Sequence, residues 1–314
     1  MTDLNNAVWQ NEPGWLQKKR QLASILMERF PQQTGQEQWL KAWSSQTKVV
    51  DRGTNLVSHD GDYVVQPLSK AVNEYSEMLQ ENLMEKAISW QDGQLNAAHL
   101  ARIDGGQFVY VPDDVVLNDP IVIAPTMPGT NPHNVIIVGA HSRVVIDETA
   151  QFNNPGAVYA GTELLVGTEA QVTYRQFNRF VGRRARQAVH CYQAQGSWVK
   201  LRYGQGSATD VTTSLYSFLD GRQTRWTAKV ALRVPAGAHQ ECRPILDGYG
   251  VETVGRLQVW GQADTPADLQ LAHLTTGSGE PLNIAQHQER LTLNEDLSTR
   301  LPAGSWLKNK FTDA

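Results

Sequence analysis

The first third of the chain is dominated by helical periodicity. Apolar residues at steps of three and four predict one amphipathic helix of about six turns: Leu68, Val72, Tyr75, Leu79, Leu83, Ala87 and Trp90. A second helical pattern runs from Trp15 to Phe30, and Pro31 would end it. We therefore expect residues 1–103 to form a mostly helical N-terminal domain.

From residue 104 onward the hydrophobic period changes to two. Short apolar runs recur between Gly, Pro, Asn and Asp residues, at 108–111, 121–123, 135–138, 144–146 and 164–166. Residues 1–104 hold only 5 of the 25 glycines, which marks the same boundary. The rhythm predicts a β domain over residues 104–292, followed by a short C-terminal tail over residues 293–314.

Part of this β region repeats. Residues 134–146 can be laid over residues 163–174, which aligns Gly139 with Gly167 and Val144 with Val172. A recurring unit of strand, glycine turn and strand is typical of a solenoid, although the pattern alone leaves a β-sandwich open. If the repeat is structural, Val144 and Val172 occupy equivalent inward positions on stacked turns.

Composition excludes several classes of protein. The net charge of −4 gives no overall basic excess, so we expect no nucleic-acid binding. The sequence has no signal-like start and no run of about 18 apolar residues, which predicts no membrane contact and a cytoplasmic location. Two cysteines cannot build a disulfide framework, which favours a reducing compartment.

Motifs for catalysis are absent from the sequence. There is no phosphate-binding loop, HExxH, GxSxG or complete dinucleotide fingerprint. The carboxylate pairs Asp113-Asp114 and Asp147-Glu148 would point to opposite faces of a strand, so we interpret them as turn residues. We expect no enzyme; a β-solenoid enzyme acting on a polymeric or acyl substrate is the alternative.

Soft metal ligands cluster at two places, His190-Cys191 and His239-Gln-Glu-Cys242. Thiolate and imidazole suit iron, zinc or an iron–sulfur cluster, so Cys191, Cys242, His190 and His239 form a candidate metal site. The competing interpretation buries each thiol as a small apolar residue. Three other histidines lie beside turn residues and are interpreted as surface groups: His133, His141 and His273.

Arginines crowd the segment between Tyr174 and Gln187, with Phe177 and Phe180 among them: Arg175, Arg179, Arg183, Arg184 and Arg186. Two interpretations stand. The segment is a solvated loop between two turns of the solenoid, or it is a binding surface. The best functional use would be bidentate pairing with the carboxylates of a partner.

The junction between the two domains carries a family resemblance. Residues 94–123 read QLNAAHLARIDGGQFVYVPDDVVLNDPIVI and resemble the SufB/SufD family of iron–sulfur cluster assembly proteins. The resemblance continues through residues 133–148 and 163–176. It implies a mainly-β fold in which a helical N-terminal domain precedes a right-handed parallel β-helix, also called a β-solenoid.

The resemblance also implies a function. It is that of a SufD-like, non-catalytic scaffold in a SufBCD complex, with no tightly bound cofactor and at most a transient iron–sulfur cluster or iron. The partners implied are a SufB-like paralogue, or a second copy of the chain, and the ABC-type ATPase SufC. Neither the family's Cys-x-His-Gly motif nor the C-terminal helices that dock SufC are found in this sequence, and the missing helices predict weak or absent affinity of this chain alone for SufC.

Pairing of β-helical cores in that family predicts a dimer interface between residues 200 and 300. Apolar residues there are expected to be partly buried between chains, namely Leu257, Val259, Trp260, Leu269 and Leu271.

Overall fold

The computed structural model describes residues 9, 11–31, 61–123, 130–207, 210–234, 238, 240–248, 252–263, 269–271 and 283–290; from 256 onward it describes the backbone alone. Four helices lie in the N-terminal part of these ranges: α1 (Gly14–Arg29), α2 (Leu68–Glu74), α3 (Ser76–Asn82) and α4 (Gln94–Arg102). Among the described helices, none has the length and apolar character needed to cross a membrane.

The single long helix expected from Leu68 to Trp90 is wrong. The chain leaves helical geometry at Tyr75, where φ is −117° and ψ is 42°, and α3 ends before Leu83. Met84 then has a positive φ of 55°. The apolar positions are nevertheless buried, apart from the half-buried Tyr75. The hydrophobic periodicity therefore predicted the buried face correctly and the length of the helix incorrectly.

The described strands form two sheets. The first has the order β1 (Val64–Pro67), β2 (Gln107–Val111), β4 (His133–Val138), β6 (Ala157–Val166), β8 (Arg184–Gln193), β10 (Asp210–Leu219), β12 (Gln240–Gly248) and β14 (Leu269–Leu271). The second has the order β3 (Ile121–Ile123), β5 (Arg143–Phe152), β7 (Gln171–Phe180), β9 (Trp198–Gly206), β11 (Arg225–Val234), β13 (Val254–Ala263) and β15 (Asn283–Arg290).

Successive strands alternate between the two sheets, so each turn of the chain adds one strand to each. Apart from β1, which runs antiparallel to β2, neighbouring strands are parallel and in register. This arrangement is a parallel β-solenoid, which confirms the predicted fold class.

The internal repeat corresponds to stacked turns. Val144 pairs with Val172 in the second sheet, and Val138 pairs with Val166 in the first. All four side chains are buried between the sheets. Both pairs have the spacing that aligned Gly139 with Gly167, so the prediction of equivalent inward positions is confirmed.

One corner of the solenoid repeats a left-handed backbone. The angle φ lies between 56° and 68° on successive turns at Asp114, His141, Glu169, Gly196, Gln223 and Glu252. Non-glycine residues adopt this geometry at a cost of about 1 kcal/mol, which is offset here by hydrogen bonds between turns. Asp114 N–H, for example, donates to Ala140 O at 2.8 Å. The turn predicted at Asp113-Asp114 is therefore confirmed.

The two sheets have different outer faces. The helical segments cover part of the first sheet, and Phe108, Val135 and Tyr159 share a buried apolar cluster with Leu68 and Leu79. As a result, β6 is buried at every position. In the second sheet, by contrast, exposed or half-buried residues on the outer face alternate along each strand with buried residues on the inner face, as in β5 and β7.

Candidate functional site

A chain of polar side chains crosses the buried boundary between α4 and the first sheet. His99 Nε2 lies 2.9 Å from His133 Nδ1, and His133 Nε2 lies 3.0 Å from Glu163 Oε2. All three side chains are fully buried. They come from α4, β4 and β6, so folding of the helical part onto the solenoid assembles the group.

With Glu163 ionised, the hydrogen-bond partners determine how many protons the two imidazoles carry. Asn131 Nδ2 donates to His99 O at 2.9 Å, so its Oδ1 faces His99 Nδ1 at 2.5 Å and must accept from it. His133 Nε2 donates to the Glu163 carboxylate, and a third proton lies between the two rings. Three N–H protons on two imidazoles amount to one positive charge, which the carboxylate balances.

With Glu163 ionised, we expect this positive charge on His133 and not on His99. Burial, followed by repulsion from His133, lowers the pKa of His99 well below its usual value. His133 is the ring in direct contact with the Glu163 carboxylate. We therefore expect a neutral His99 beside an ion pair of His133 and Glu163, and we call these three side chains the buried His–His–Glu group.

Glu163 also holds the irregular segment that follows α3. Its carboxylate accepts from Met84 N–H at 2.6 Å and from Ile88 N–H at 2.9 Å. These N–H groups lie where the predicted helix would have continued, and the carboxylate supplies the acceptors that a helix would have provided. The same side chain therefore pairs with His133 and anchors the helical part to the sheet.

Close packing surrounds the two imidazoles. Tyr159 stacks on His99 with ring centroids 3.9 Å apart, and its hydroxyl donates to Asn96 Oδ1 at 2.8 Å. A Cβ at Gly161 would lie 2.5 Å from His133 Nδ1 and 2.8 Å from His99 Nε2. Only glycine leaves room for the two rings at this position of β6.

A buried aspartate adjoins the group. Asp104 accepts from Thr130 N–H, Thr130 Oγ1 and Asn131 N–H at 2.7 to 2.9 Å. Burial raises the pKa of its carboxyl to about 6, although these hydrogen bonds act in the opposite direction. Together these contacts make the region a polar joint between the helical part and the solenoid, enclosed away from solvent.

The predicted metal ligands are not brought together where the structure describes them. Cys191 and Cys242 are buried in the apolar core between the sheets, and burial raises the pKa of each thiol to about 12. Cys191 pairs with Ser217 and Cys242 with Thr213, so two strand spacings and four residues separate the thiols, roughly 16 Å. His190 occupies the opposite face of β8 from Cys191.

His239 lies outside the described residues. Among the residues that are described, no group of three or more His, Cys, Asp or Glu side chains is placed to hold a metal ion. The four-residue metal site therefore stays a prediction.

His190 is held neutral by its surroundings, which predicts a pH effect on stability. Its Nδ1–H donates to Ala87 O at 3.0 Å, its Nε2 accepts from Ser214 Oγ at 2.9 Å, and burial lowers its pKa to about 4. A depressed imidazole pKa contributes stability that is present above about 6.5 and is lost as the pH falls through about 4. The shift corresponds to ~3 kcal/mol.

We expect His190→Gln to flatten the loss of stability between pH 7 and about 4.5, measured by denaturant unfolding. The raised pKa of Asp104 has the opposite effect, because it destabilises the folded state above a pH of about 6. Asp104 is present in both wild type and His190→Gln, so it does not change the difference between them. His141→Gln, at an exposed corner, is the matched control. Equal pH slopes in wild type and His190→Gln would contradict the assignment.

The paired carboxylates follow strand alternation. Asp147 points outward and accepts from Arg175 Nε and Nη2, whereas Glu148 points inward and accepts from Tyr174 Oη and from Asn134 Nδ2. Burial raises the pKa of Glu148. The expectation of opposite faces is confirmed, and the interpretation as a turn is wrong for this pair because both residues lie within β5.

The interpretation of the arginine segment as a loop is also wrong. Arg175 and Arg179 lie in β7, Arg184 and Arg186 lie in β8, and only residues 181–183 separate these strands. His133 was expected at the surface and is fully buried instead. In both cases the neighbouring turn residues predicted an exposed position. The tertiary contacts, and not these neighbours, determine whether a side chain is exposed.

The predicted interface residues lie in β13 and β14. Leu257 and Val259 pair with Ala228 and Val230, and Leu269 and Leu271 pair with Gln240 and Cys242; these four partners are buried positions of the solenoid. Trp260 pairs with Ala231, which is also buried. The register thus pairs all five predicted interface residues with buried positions of the neighbouring strands. The interface itself stays a prediction.

Two residues of the buried group escaped the sequence analysis. His99 lies inside a short helix with no distinguishing local pattern, whereas Glu163 had a usable signal. It is the one charged residue of β6, whose other positions are small or apolar apart from Thr162 and Tyr159. A charge in such a strand requires a buried partner.

The fold and the buried joint define a class: a parallel β-solenoid with a helical part fastened to one sheet. Within that class, a partial relative is the iron–sulfur cluster assembly protein SufD of Bacillus subtilis (strain 168), which is 28% identical over 111 residues. The match covers 33% of this chain and 25% of the relative, so it spans about a quarter of that protein's length. No family model matches the chain. The similarity suggests the SufB/SufD family.

Proposed function

We propose that the protein is a SufD-like, non-catalytic scaffold that supports iron–sulfur cluster assembly. The observation that carries the proposal is the partial sequence similarity to SufD, found in a chain that folds as a parallel β-solenoid. The cluster or its iron is then cargo of the assembly and not a resident cofactor of this chain. The partners in this proposal are a SufB-like subunit and a SufC-type ATPase.

The geometry agrees with a scaffold role in one specific respect. The buried His–His–Glu group is closed to solvent and joins the helical part to the first sheet of the solenoid. A solenoid presents long flat faces and terminal strands, and pairing with another solenoid covers such edges. We propose the β13–β14 end as the pairing surface, with Trp260 among its residues.

Copurification from the source cell tests the proposal. The tagged chain is expected to retain a SufB-like protein and an ABC-type ATPase, and its deletion is expected to lower iron–sulfur cluster content in client enzymes. Trp260→Glu should weaken the association, because a buried unpaired charge costs several kcal/mol. Val116→Glu, 61% exposed on an early turn, is the matched control.

Mass photometry distinguishes a homodimer from a heterodimer in the same material. A chain that copurifies with neither a SufB-like protein nor a second copy, and whose deletion leaves cluster content unchanged, would overturn the proposal.

A further inference from the structure

The outer face of the second sheet carries a dense group of cations. We call Arg175, Lys200, Arg202, Arg225 and Lys229 the basic face. Arg175 pairs in register with Arg202, and Arg202 with Lys229, so these three form one column across β7, β9 and β11. Neighbouring positions in such a column are about 4.8 Å apart. Lys200 and Arg225 lie at other outward positions of β9 and β11.

Few acidic residues share this face. The outward positions of β9 and β11 hold no Asp or Glu, and Asp147, which pairs with Arg175, stands at one end of the column. Glu169 and Glu252 lie nearby at the corner turns, where they line a groove with Trp198 and Arg225. A protein with a net charge of −4 thus concentrates positive charge on one sheet surface.

Folding alone does not favour this arrangement. Like charges directly opposite one another on neighbouring strands are destabilising. Burial, followed by repulsion from Arg175, lowers the pKa of Arg202. An aromatic ring orders two of the cations, since Lys200 Nζ lies 4.0 Å and Arg225 Cζ 6.0 Å from the centroid of the Trp198 ring. Arg202 and Lys229 each have a further interaction within the chain, so it is the concentration of positive charge, and not an unpaired cation, that the face offers to an anion.

The contacts within the chain indicate which anion fits. The Asp147 carboxylate accepts from two nitrogens of Arg175, Nε and Nη2, in the fork geometry that suits carboxylates. Lys200 and Arg202 are two residues apart on one strand, about 6.7 Å, which equals the spacing of alternate side chains in an extended peptide. The overall negative charge disfavours a long nucleic acid, whose affinity depends on neutralising many phosphates.

We infer that the basic face binds an extended acidic segment of a partner protein, with carboxylates at alternate positions facing Lys200 and Arg202 and with Arg175 and Lys229 beside Arg202 on the two neighbouring strands. The segment runs beside the strands of the second sheet, opposite the sheet that the helical part covers. The face borders β13, since Lys229 pairs with Gln258, but peptide binding is measured on the chain alone, so its test does not depend on the scaffold proposal.

Fluorescence anisotropy with a labelled peptide of alternating glutamate and threonine tests the inference on the full chain. Binding is expected at about 20 mM salt and should weaken at least tenfold at about 500 mM. Arg202→Gln/Lys229→Gln should weaken it about tenfold, whereas Lys18→Gln/Lys70→Gln, which removes two exposed helical charges, should change it less than twofold. Arg202→Lys should lie between, because the charge remains and the fork is lost.

Three results would overturn the inference: no peptide binding at low salt, equal losses in the two double variants, or tighter binding of a single-stranded oligonucleotide of the same charge. A control peptide with glutamine in place of each glutamate should not bind. Thermal melts confirm that the variants are folded, and removal of the stacked charges is expected to leave the melting temperature unchanged or higher. Should the double variant fail to fold, the single variant Lys229→Gln is measured against Lys70→Gln.

Discussion

Replacing Glu163 with glutamine is expected to lower the free energy of unfolding by about 3–5 kcal/mol. The glutamine side chain would leave the charged His133 buried without its counter-ion. The terminal NH2 group of glutamine also could not accept a hydrogen bond, as a carboxylate oxygen does. Glu163 now accepts from His133 and from the N–H groups of Met84 and Ile88. A single substitution therefore disturbs both the ion pair and the anchor of the segment after α3.

Denaturant unfolding at neutral pH measures this effect, with Glu81→Gln, an exposed residue of α3, as the matched control. Nitrogen NMR of the imidazoles gives an independent test, because His133 should be doubly protonated and His99 singly protonated in the wild type. A loss below about 1 kcal/mol for Glu163→Gln, or a neutral His133, would show that the pair is not ionised.

The solenoid could be predicted because its information is local and repeated. The number of residues between Val144 and Val172 is the number in one turn of the solenoid. Both residues lie in strands whose alternate positions are buried. The single helix over residues 68–90 failed for a related reason. Periodicity reports which face is buried, but Glu163, distant in sequence, supplies the acceptors that allow the backbone to leave the helix after Leu83.

The buried joint could not be predicted from local pattern. His99 and His133 are 34 residues apart, and each lies in a segment that gives no sign of the other. His133 follows a turn, which favoured a surface position, yet α4 covers it. The cysteines show the converse. Cys191 and Cys242 have the right chemistry for a metal, but strand alternation directs both into the core on different turns.

Gly161→Ala is expected to destabilise the protein by about 3 kcal/mol, although it adds one methyl group. Overpacking a buried site costs about 1–3 kcal/mol, and loss of the charge-assisted hydrogen bond between the rings adds to it. The new Cβ would lie 2.5 Å from His133 Nδ1 and 2.8 Å from His99 Nε2, and neither ring has space to withdraw, because both are fully buried. Differential scanning calorimetry and denaturant unfolding measure the change.

Gly206→Ala is the matched control, since its added Cβ would meet only Phe177 Cζ at 3.8 Å, an ordinary contact. The two glycines both lie in strands with no left-handed backbone, so any difference between the variants reports the space around the two histidines and not backbone freedom. The effect of Gly161→Ala should also be less than additive with Glu163→Gln, because both disrupt one network. Additive losses would mean that Gly161 packs against the rings without supporting the proton that they share.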